Sequence, residues 1–204
     1  MSMSSSTDAR APQRQRGRLR VAAILEAGAA AFREKGYDAV TMTEIAARSG
    51  TTFGSLYRFF PSKEVLANAL LAQYAQRALD RLAELAEQAP TMTPTALADA
   101  LIDFMLKLKS ERSFAVGLME AGAGDGGKRE AFRAAFRTSI GMILRRAFPN
   151  CSQAKAAAMT VVVLHALKGL AVAAPEKPAD ARLLRAEFQG LLRLYLSSCA
   201  GGIS

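Results

Sequence analysis

A short segment, residues 41–60, constrains the fold more than any other part of the chain. Thr41-Met42-Thr43-Glu44 has the pattern of a capping box. In this motif the Thr41 hydroxyl accepts a hydrogen bond from the Glu44 amide, and the Glu44 side chain reaches back to the Thr41 amide. Gly50 allows a tight turn, Thr52 can cap the next helix, and Pro61 ends it. The pattern predicts two short helices joined by a turn, at about Met42–Arg48 and Phe53–Phe59.

The remainder of the chain also has the spacing of helices. Apolar residues recur at intervals of three and four positions, and glycine or proline marks each break. Alanine and leucine, which have high helix propensity, are abundant, and no segment predicts a strand. We therefore predict an all-α protein, with a flexible run at Gly122–Gly127. The predicted helices cover about residues 16–35, 42–48, 53–59, 62–88, 96–109, 113–121, 128–148, 152–173 and 180–198.

The first fifteen residues are polar and rich in serine and arginine, without a periodic apolar face, and are predicted to be disordered. Five arginines lie within residues 9–20, where there is no acidic residue, and the whole chain has a net charge of +9. Such an excess is typical of proteins that bind polyanions. The arginines either solubilise the chain or form an arm that touches phosphates or the minor groove of DNA.

Few residues are suited to catalysis. The chain has one histidine and lacks metal-ligand spacing, a nucleophile elbow and a Walker phosphate loop; Gly122–Gly127 is glycine-rich but has no Walker lysine and serine. Cys151 and Cys199 are far apart in the sequence and are interpreted as free thiols rather than as a disulfide. We predict neither an enzyme nor a bound cofactor or metal.

The apolar segments are too interrupted for a membrane span. Lys155, His165 and Lys168 break the longest of them, whereas a spanning helix needs eighteen or more uncharged apolar residues. Residues 1–7 also lack the apolar middle of a secretory signal, so the prediction is a cytoplasmic protein. A basic helical protein that binds membranes or other proteins is the alternative, but such a protein has no need of the paired short helices at 41–60.

The paired helices are suited to reading DNA. A major groove admits one α-helix, and a second helix packed across it through a short turn holds it in place. Ile45, Leu56 and Phe60 are assigned to the core beneath the pair. A longer pattern extends beyond the two helices. Its segments are Gly36-Tyr37, Thr41-Met42-Thr43-Glu44-Ile45-Ala46, Ser49-Gly50 and Gly54-Ser55-Leu56-Tyr57-Arg58-Phe59-Phe60-Pro61-Ser62-Lys63-Glu64-Val65-Leu66. This pattern strongly resembles the TetR family of bacterial regulators over about residues 18–70.

The resemblance implies an all-α homodimer of about nine helices, in which three N-terminal helices bind DNA and a larger C-terminal half binds an effector and dimerises. We accordingly assign residues 1–15 to a basic arm, 16–62 to a helix-turn-helix DNA-binding domain and 63–204 to an effector-binding and dimerisation domain. The implied function is that of a repressor, the usual role in the family. A small hydrophobic effector would release it from a palindromic operator.

Matching the motif position by position implies which side chains meet DNA. Thr41, Tyr57 and Lys63 resemble the family's phosphate-binding residues; the alternatives are a cap, a packed aromatic and a solvated charge. Phe53 either contacts a thymine methyl group or packs inward. The predicted helix at 53–59 would be the recognition helix, which enters the major groove. The remaining candidates lie at its start or beside it, and they are Arg48, Thr51, Thr52, Ser55 and Arg58.

The C-terminal half offers candidates for an effector pocket and a dimer interface. The candidate pocket residues are Phe104, Met105, Leu108, Phe114, Leu118, Met119, Phe132, Phe136, Met159 and Val163, with ordinary core as the alternative for each. The last two predicted helices resemble the family's dimerisation pair, and the first of them is apolar nearly all round, so it must be covered on several sides. The candidate interface residues are Val161, Val162, Leu164, His165, Leu184, Phe188 and Leu191.

Overall fold

The all-α prediction is confirmed. The computed structural model describes residues 10–120, 126–172 and 178–201, with side chains for 15–108, 126–172 and 179–200. These residues form eight α-helices and no strand, with a 3-10 turn at Ala89–Thr91. The helices are α1 (Arg10–Lys35), α2 (Met42–Arg48), α3 (Phe53–Phe59), α4 (Lys63–Gln88), α5 (Pro94–Glu120), α6 (Gly126–Ala147), α7 (Gln153–Val172) and α8 (Pro178–Gly201).

Both short helices begin and end where the sequence predicts, whereas several other helix boundaries differ. The helices predicted at 96–109 and 113–121 form one helix, α5, because no glycine or proline separates them. Helix α1 begins at Arg10 rather than near Arg16; Pro12 lies in its first turn, where a missing amide hydrogen is tolerated. Residues 10–15 of the predicted disordered arm are therefore helical. Gly126 and Gly127, predicted to be flexible, open α6.

The chain divides into two compact units. The first, here called the head, contains α1–α3, α4 as far as Tyr74 and the end of α5 from Phe114. Its core is formed by side chains of α1, α2, α3 and α4, including the fully buried Ile24, Ile45, Leu56 and Leu66. A Cβ on Gly28 would lie 2.7 Å from Leu66 Cδ2, so the absence of a side chain there lets α1 and α4 pack closely.

The second unit, here called the body, contains the remainder of α4 and α5 together with α6–α8. Leu101, Ile102, Ile143 and Leu144 are among its fully buried side chains. Ion pairs connect α5 to α8 on its surface, where Arg193 binds Asp99 through two hydrogen bonds of 2.7 Å and Arg185 binds Asp103 at 2.7 Å. Hydrogen bonding to Asp99 raises the pKa of Arg193, so this cation stays charged at any physiological pH.

Of the described helices, α7 alone is long and apolar enough to cross a bilayer by length and composition. About a third of its most apolar stretch is buried within the protein. A core helix of a water-soluble protein passes the same test, so this finding is weak evidence for a membrane span.

Candidate nucleic-acid interface

The turn between α2 and α3 is shaped by glycine. Gly50 has a φ of 63°, a left-handed conformation that side chains disfavour. Its amide donates to Ala47 O at 3.3 Å, and the Thr51 amide donates to Ala46 O at 3.0 Å. These two hydrogen bonds form a Schellman motif, which satisfies the last carbonyls of α2 and reverses the chain sharply. The fully buried Ile45 and Leu56 then hold α3 against the head core, as predicted.

Side-chain caps begin both short helices. Thr41 Oγ1 accepts from the Glu44 amide at 3.2 Å, and Thr52 Oγ1 accepts from the Ser55 amide at 3.4 Å. Of the capping box predicted at Thr41, the half made by the Thr41 hydroxyl is formed. The Glu44 carboxylate does not complete the other half, because it binds two cations instead. Thr41 is exposed, so the start of α2 lies at the surface of the head.

The Glu44 carboxylate belongs to a network of four charged residues that connects α1 to α2. Glu44 Oε1 lies 2.8 Å from Lys35 Nζ and 2.8 Å from Arg48 Nη2, and Arg48 Nη1 lies 2.7 Å from Glu34 Oε2. Hydrogen bonding to Lys35 is the main reason that the pKa of Glu44 is lowered, with Arg48 adding to it. Hydrogen bonding to Glu34 raises the pKa of Arg48. A phosphate contact by Arg48 would have to replace these pairs.

This network makes the stability of the head depend on pH. Because the pKa of Glu44 is lower in the folded state, its contribution is complete above the ordinary glutamate value of about 4.3 and is lost as the pH falls through the folded-state value. Glu44→Gln should therefore lower the thermal midpoint at pH 7, and the difference from the parent chain should shrink between about pH 5 and pH 3. Circular dichroism melts across this range measure both effects.

Glu130→Gln is the matched control, since that carboxylate belongs to an exposed pair 3.6 Å from Arg133 in the body. It should change the midpoint little at any pH. A Glu44→Gln difference that stays constant from pH 7 to pH 3 would show that the carboxylate charge is not what connects α1 to α2.

Lys63, predicted to bind phosphate, donates to three carbonyls of the loop between α1 and α2. Its ammonium group lies 2.9 Å from Tyr37 O, 3.2 Å from Asp38 O and 3.0 Å from Val40 O. The same nitrogen lies 4.4 Å from the centre of the Tyr37 ring, within cation–π range. Burial, with smaller effects of Glu64 and Asp38, raises the pKa of Tyr37. An ammonium group has three protons to donate, so all three are used within the head.

The exposed side of α3 carries an aromatic pair. The rings of Phe53 and Tyr57 are 4.4 Å apart at an interplanar angle of 46°, and Phe53 is 52% exposed. The alternative that Phe53 packs inward is therefore wrong. Arg58, on the same helix, lies over the ring of Phe59, 5.3 Å from its centre.

Arg20 of α1 also contacts α3, the helix predicted to read DNA. This contact was not predicted from the sequence. Arg20 Nη1 donates to Ser55 Oγ at 3.4 Å, and both residues belong to the head. In the sequence, Arg20 is one of the five arginines of residues 9–20. No local pattern distinguishes it from its neighbours, because the contact depends on how α1 packs beside α3.

Comparison with known proteins shows what the head is similar to. Residues 24–70 match the profile of the bacterial regulatory proteins of the tetR family. Over these residues the head resembles the proteins of that family. The matched residues lie within the head, from the middle of α1 to the first third of α4, and include the charged network, the turn and the recognition helix. None of the curated proteins matches the sequence.

Solved structures of transcriptional regulators share the fold, and several of them are described as TetR-family proteins. A TetR regulator from Mycobacterium vanbaalenii is 24% identical, with a TM-score of 0.60 over 88% of this chain and 98% of its own. A regulator from Aquifex aeolicus is 23% identical, with a TM-score of 0.59 over 86% and 99%. A regulator from Saccharomonospora viridis, solved in complex with choline, is 19% identical, with a TM-score of 0.64 over 84% and 94%.

Seven of the ten residues predicted to form the effector pocket lie in helices of the body, and the other three lie in the part of α5 that belongs to the head. Two aromatic contacts are present among them, Phe104–Phe136 and Phe132–Phe136, each with ring centres 6.0 Å apart. Phe132 and Phe136 are half-buried. The side chains of Phe114, Leu118 and Met119 lie outside the described residues. The remaining candidates are buried, and they are Phe104, Met105, Leu108, Met159 and Val163.

The predicted dimer residues lie on α7 and α8. Val161, Val162 and Leu191 are large apolar side chains that are exposed in the single chain. His165 is exposed too, with Nδ1 2.8 Å from Val161 O of its own helix. Phe188 contributes to packing within the chain, since a Cβ on Gly169 would lie only 3.1 Å from its ring. Leu164 and Leu184 are half-buried.

Proposed function

We propose that the protein is a homodimeric transcriptional repressor that inserts α3 into the major groove of a palindromic operator and leaves it when a small apolar effector binds the body. The observation that carries the proposal is the exposed face of α3, held from below by the fully buried Leu56. A helix with one face in a core and the other free is what a major-groove reader requires.

Charge supports DNA as the partner. Helix α3 contains no acidic residue, and it has the cations Arg58, on the helix itself, and Arg20, hydrogen-bonded to Ser55. Thr41 exposes a helix-capping hydroxyl, and Tyr57 exposes a phenol. Hydroxyl groups of this kind hold phosphates and thereby fix the position of a protein on DNA, whereas side chains that reach base edges specify the sequence.

Exposed apolar surface supports the homodimer. Helices α7 and α8 expose Val161, Val162 and Leu191, together with Leu183 and Leu194, which the sequence analysis did not select. Large apolar side chains clustered on two neighbouring helices indicate a surface that another protein covers. A second copy of the same chain, related by a twofold axis, would cover this surface and place two heads about 34–36 Å apart, one turn of DNA.

Aromatic side chains support an effector site in the body. Phe136 is in contact with both Phe104 and Phe132, and such rings suit an apolar ligand. The same rings could receive an organic cation by a cation–π interaction. Because the Saccharomonospora viridis regulator was solved in complex with choline, this cation is a suitable test compound beside apolar ones.

Operator binding tests the proposal directly. The full chain should select a palindrome from a randomised duplex library and bind it with an affinity that falls steeply with salt. Ser55→Ala or Thr52→Ala should relax the sequence preference by about tenfold at one position in each half-site. Tyr57→Phe should weaken binding to all sequences alike. A chain that selects no sequence above random duplex would contradict the proposal.

Effector action needs a separate measurement. A panel of small aromatic and aliphatic compounds, with choline included, can be screened for compounds that raise the thermal midpoint of the full chain. A compound that does so should also lower operator affinity, because coupling between two binding sites is reciprocal. If a stabilising compound leaves operator affinity unchanged at saturation, the release mechanism is wrong while DNA binding stands.

A further inference from the structure

The exposed aromatic pair of α3 calls for a physical reason, because large apolar side chains are normally buried. Phe53 is more than half exposed, and Tyr57, one helical turn later, is also exposed. Their rings are 4.4 Å apart, so each restricts the rotamers of the other and the pair forms a small, preorganised apolar surface. Leu56, between them in sequence, is fully buried, so this surface points away from the head core.

The surroundings of the pair leave room for a partner at close range. Gly54 follows Phe53 directly, and a Cβ placed on Gly54 would meet no atom within 4 Å. Packing within the head therefore does not require glycine here, although glycine has a lower helix propensity than alanine. A missing side chain beside Phe53 lets another molecule approach the backbone of α3 closely.

The chemistry of the surroundings identifies that molecule. Arg58 lies on the same helix, Arg20 is hydrogen-bonded to Ser55, and α3 has no acidic residue. An apolar surface on a helix that carries cations and no acidic residue matches a partner that has apolar groups within a field of negative charge. In the major groove of DNA the one apolar feature on a base edge is the C5-methyl group of thymine, which aromatic side chains can contact.

We propose that Phe53, supported by the ring of Tyr57, selects a pyrimidine carrying a C5-methyl group at one position in each operator half-site. The inference rests on the proposed function, since it requires α3 to enter the major groove. It adds a determinant of specificity that acts through burial of a methyl group rather than through a hydrogen bond. Loss of one buried methyl group corresponds to about a fourfold loss of affinity per half-site, or about fifteenfold for both.

The test uses the full chain and an operator selected from a randomised library. Each thymine is replaced in turn by deoxyuridine, which removes the methyl group and leaves base pairing unchanged. One position per half-site should lose about fourfold in affinity with the parent chain. At that position 5-methylcytosine should bind about fourfold more tightly than cytosine, which separates the methyl group from the hydrogen-bonding edge of the base.

Variants at Phe53 and Tyr57 connect the methyl effect to the aromatic pair. Phe53→Ala should bind the thymine and deoxyuridine operators equally. A double-mutant cycle that combines this substitution with the change from thymine to deoxyuridine would then assign the methyl effect to the Phe53 ring. Phe53→Leu, which keeps an apolar side chain, should still bind the thymine operator more tightly than the deoxyuridine operator. Tyr57→Phe keeps the supporting ring and should show the same preference, whereas Tyr57→Ala should reduce this preference.

Two results would overturn the inference. One is an operator in which no thymine-to-deoxyuridine change affects binding by the parent chain. The other is an equal methyl effect in the parent chain and in both Phe53 variants. In either case selection of an operator would still support the proposed function, whereas failure to select any sequence would remove both.

Discussion

A chain with Lys63 replaced by methionine should melt at a lower temperature and bind its operator more weakly, with the salt dependence of binding unchanged. Methionine keeps most of the apolar stem but leaves three loop carbonyls without their donor. Hydrogen bonds to charged groups contribute about 1.5–3 kcal/mol each when sheltered, and less where solvent reaches them, so we expect the free energy of unfolding of the head to fall by about 2 kcal/mol. The affinity for the operator falls because the Lys63 ammonium group no longer holds the loop that precedes Thr41.

The salt dependence distinguishes this role from a phosphate contact. A lysine that neutralises one phosphate per head would, when replaced, reduce the slope of log K against log salt by about 0.9 per head. A lysine that only positions the loop leaves that slope as it was. Lys128→Met, an exposed lysine of the body, is the matched control and should alter neither stability nor affinity. A reduced slope with an unchanged melting temperature would return Lys63 to the role implied by the family resemblance.

A glutamate at Leu191 should convert the protein into a monomer that scarcely binds the operator. Leu191 is 56% exposed on α8, and burial of a carboxylate in an apolar interface is strongly unfavourable. A monomer binds each half-site independently and loses the effective concentration that pairing supplies, so operator affinity should fall about a hundredfold or more. Sedimentation velocity and operator titration, each at micromolar protein, measure the two effects.

Met142→Glu provides the control, since Met142 is a large exposed apolar residue on α6 rather than on α7 or α8. That variant should stay dimeric and should bind the operator as the parent chain does. Thermal melts should show that the Leu191→Glu chain remains folded. A Leu191→Glu chain that sediments as a dimer would place the interface elsewhere.

The short helices of the head could be located to the residue because their ends depend on local chemistry. Thr41, Thr52 and Gly50 act through hydrogen bonds and φ angles within a few residues of themselves. The start of α1 and the continuity of α5 were harder to predict. Helix α1 begins before Pro12 and no glycine or proline divides α5 between residues 109 and 113, so local breakers do not set these limits and tertiary packing decides how far each helix extends.

The candidate site also has features that could be predicted from the sequence and contacts that could not. Thr52, Tyr57 and Ser55 are exposed or half-exposed on or beside α3, in agreement with a motif whose spacing follows the helix period. Partners distant in sequence were not predictable. Arg48 binds Glu34 fourteen residues earlier, Lys63 binds carbonyls more than twenty residues earlier, and Arg20 reaches Ser55 across thirty-five residues.

The sequence by itself therefore determined the helical class, the turn at Gly50, the buried Leu56 and Ile45 and the resemblance of the head to the tetR family, because each depends on near neighbours or on a periodic pattern. Only the tertiary structure decided which cations remain available for DNA. Lys63 and Arg48 satisfy loop carbonyls and carboxylates within the head, whereas Arg20 comes to lie beside the recognition helix. It also decided the orientation of Phe53, since its exposure depends on which face of α3 the core covers.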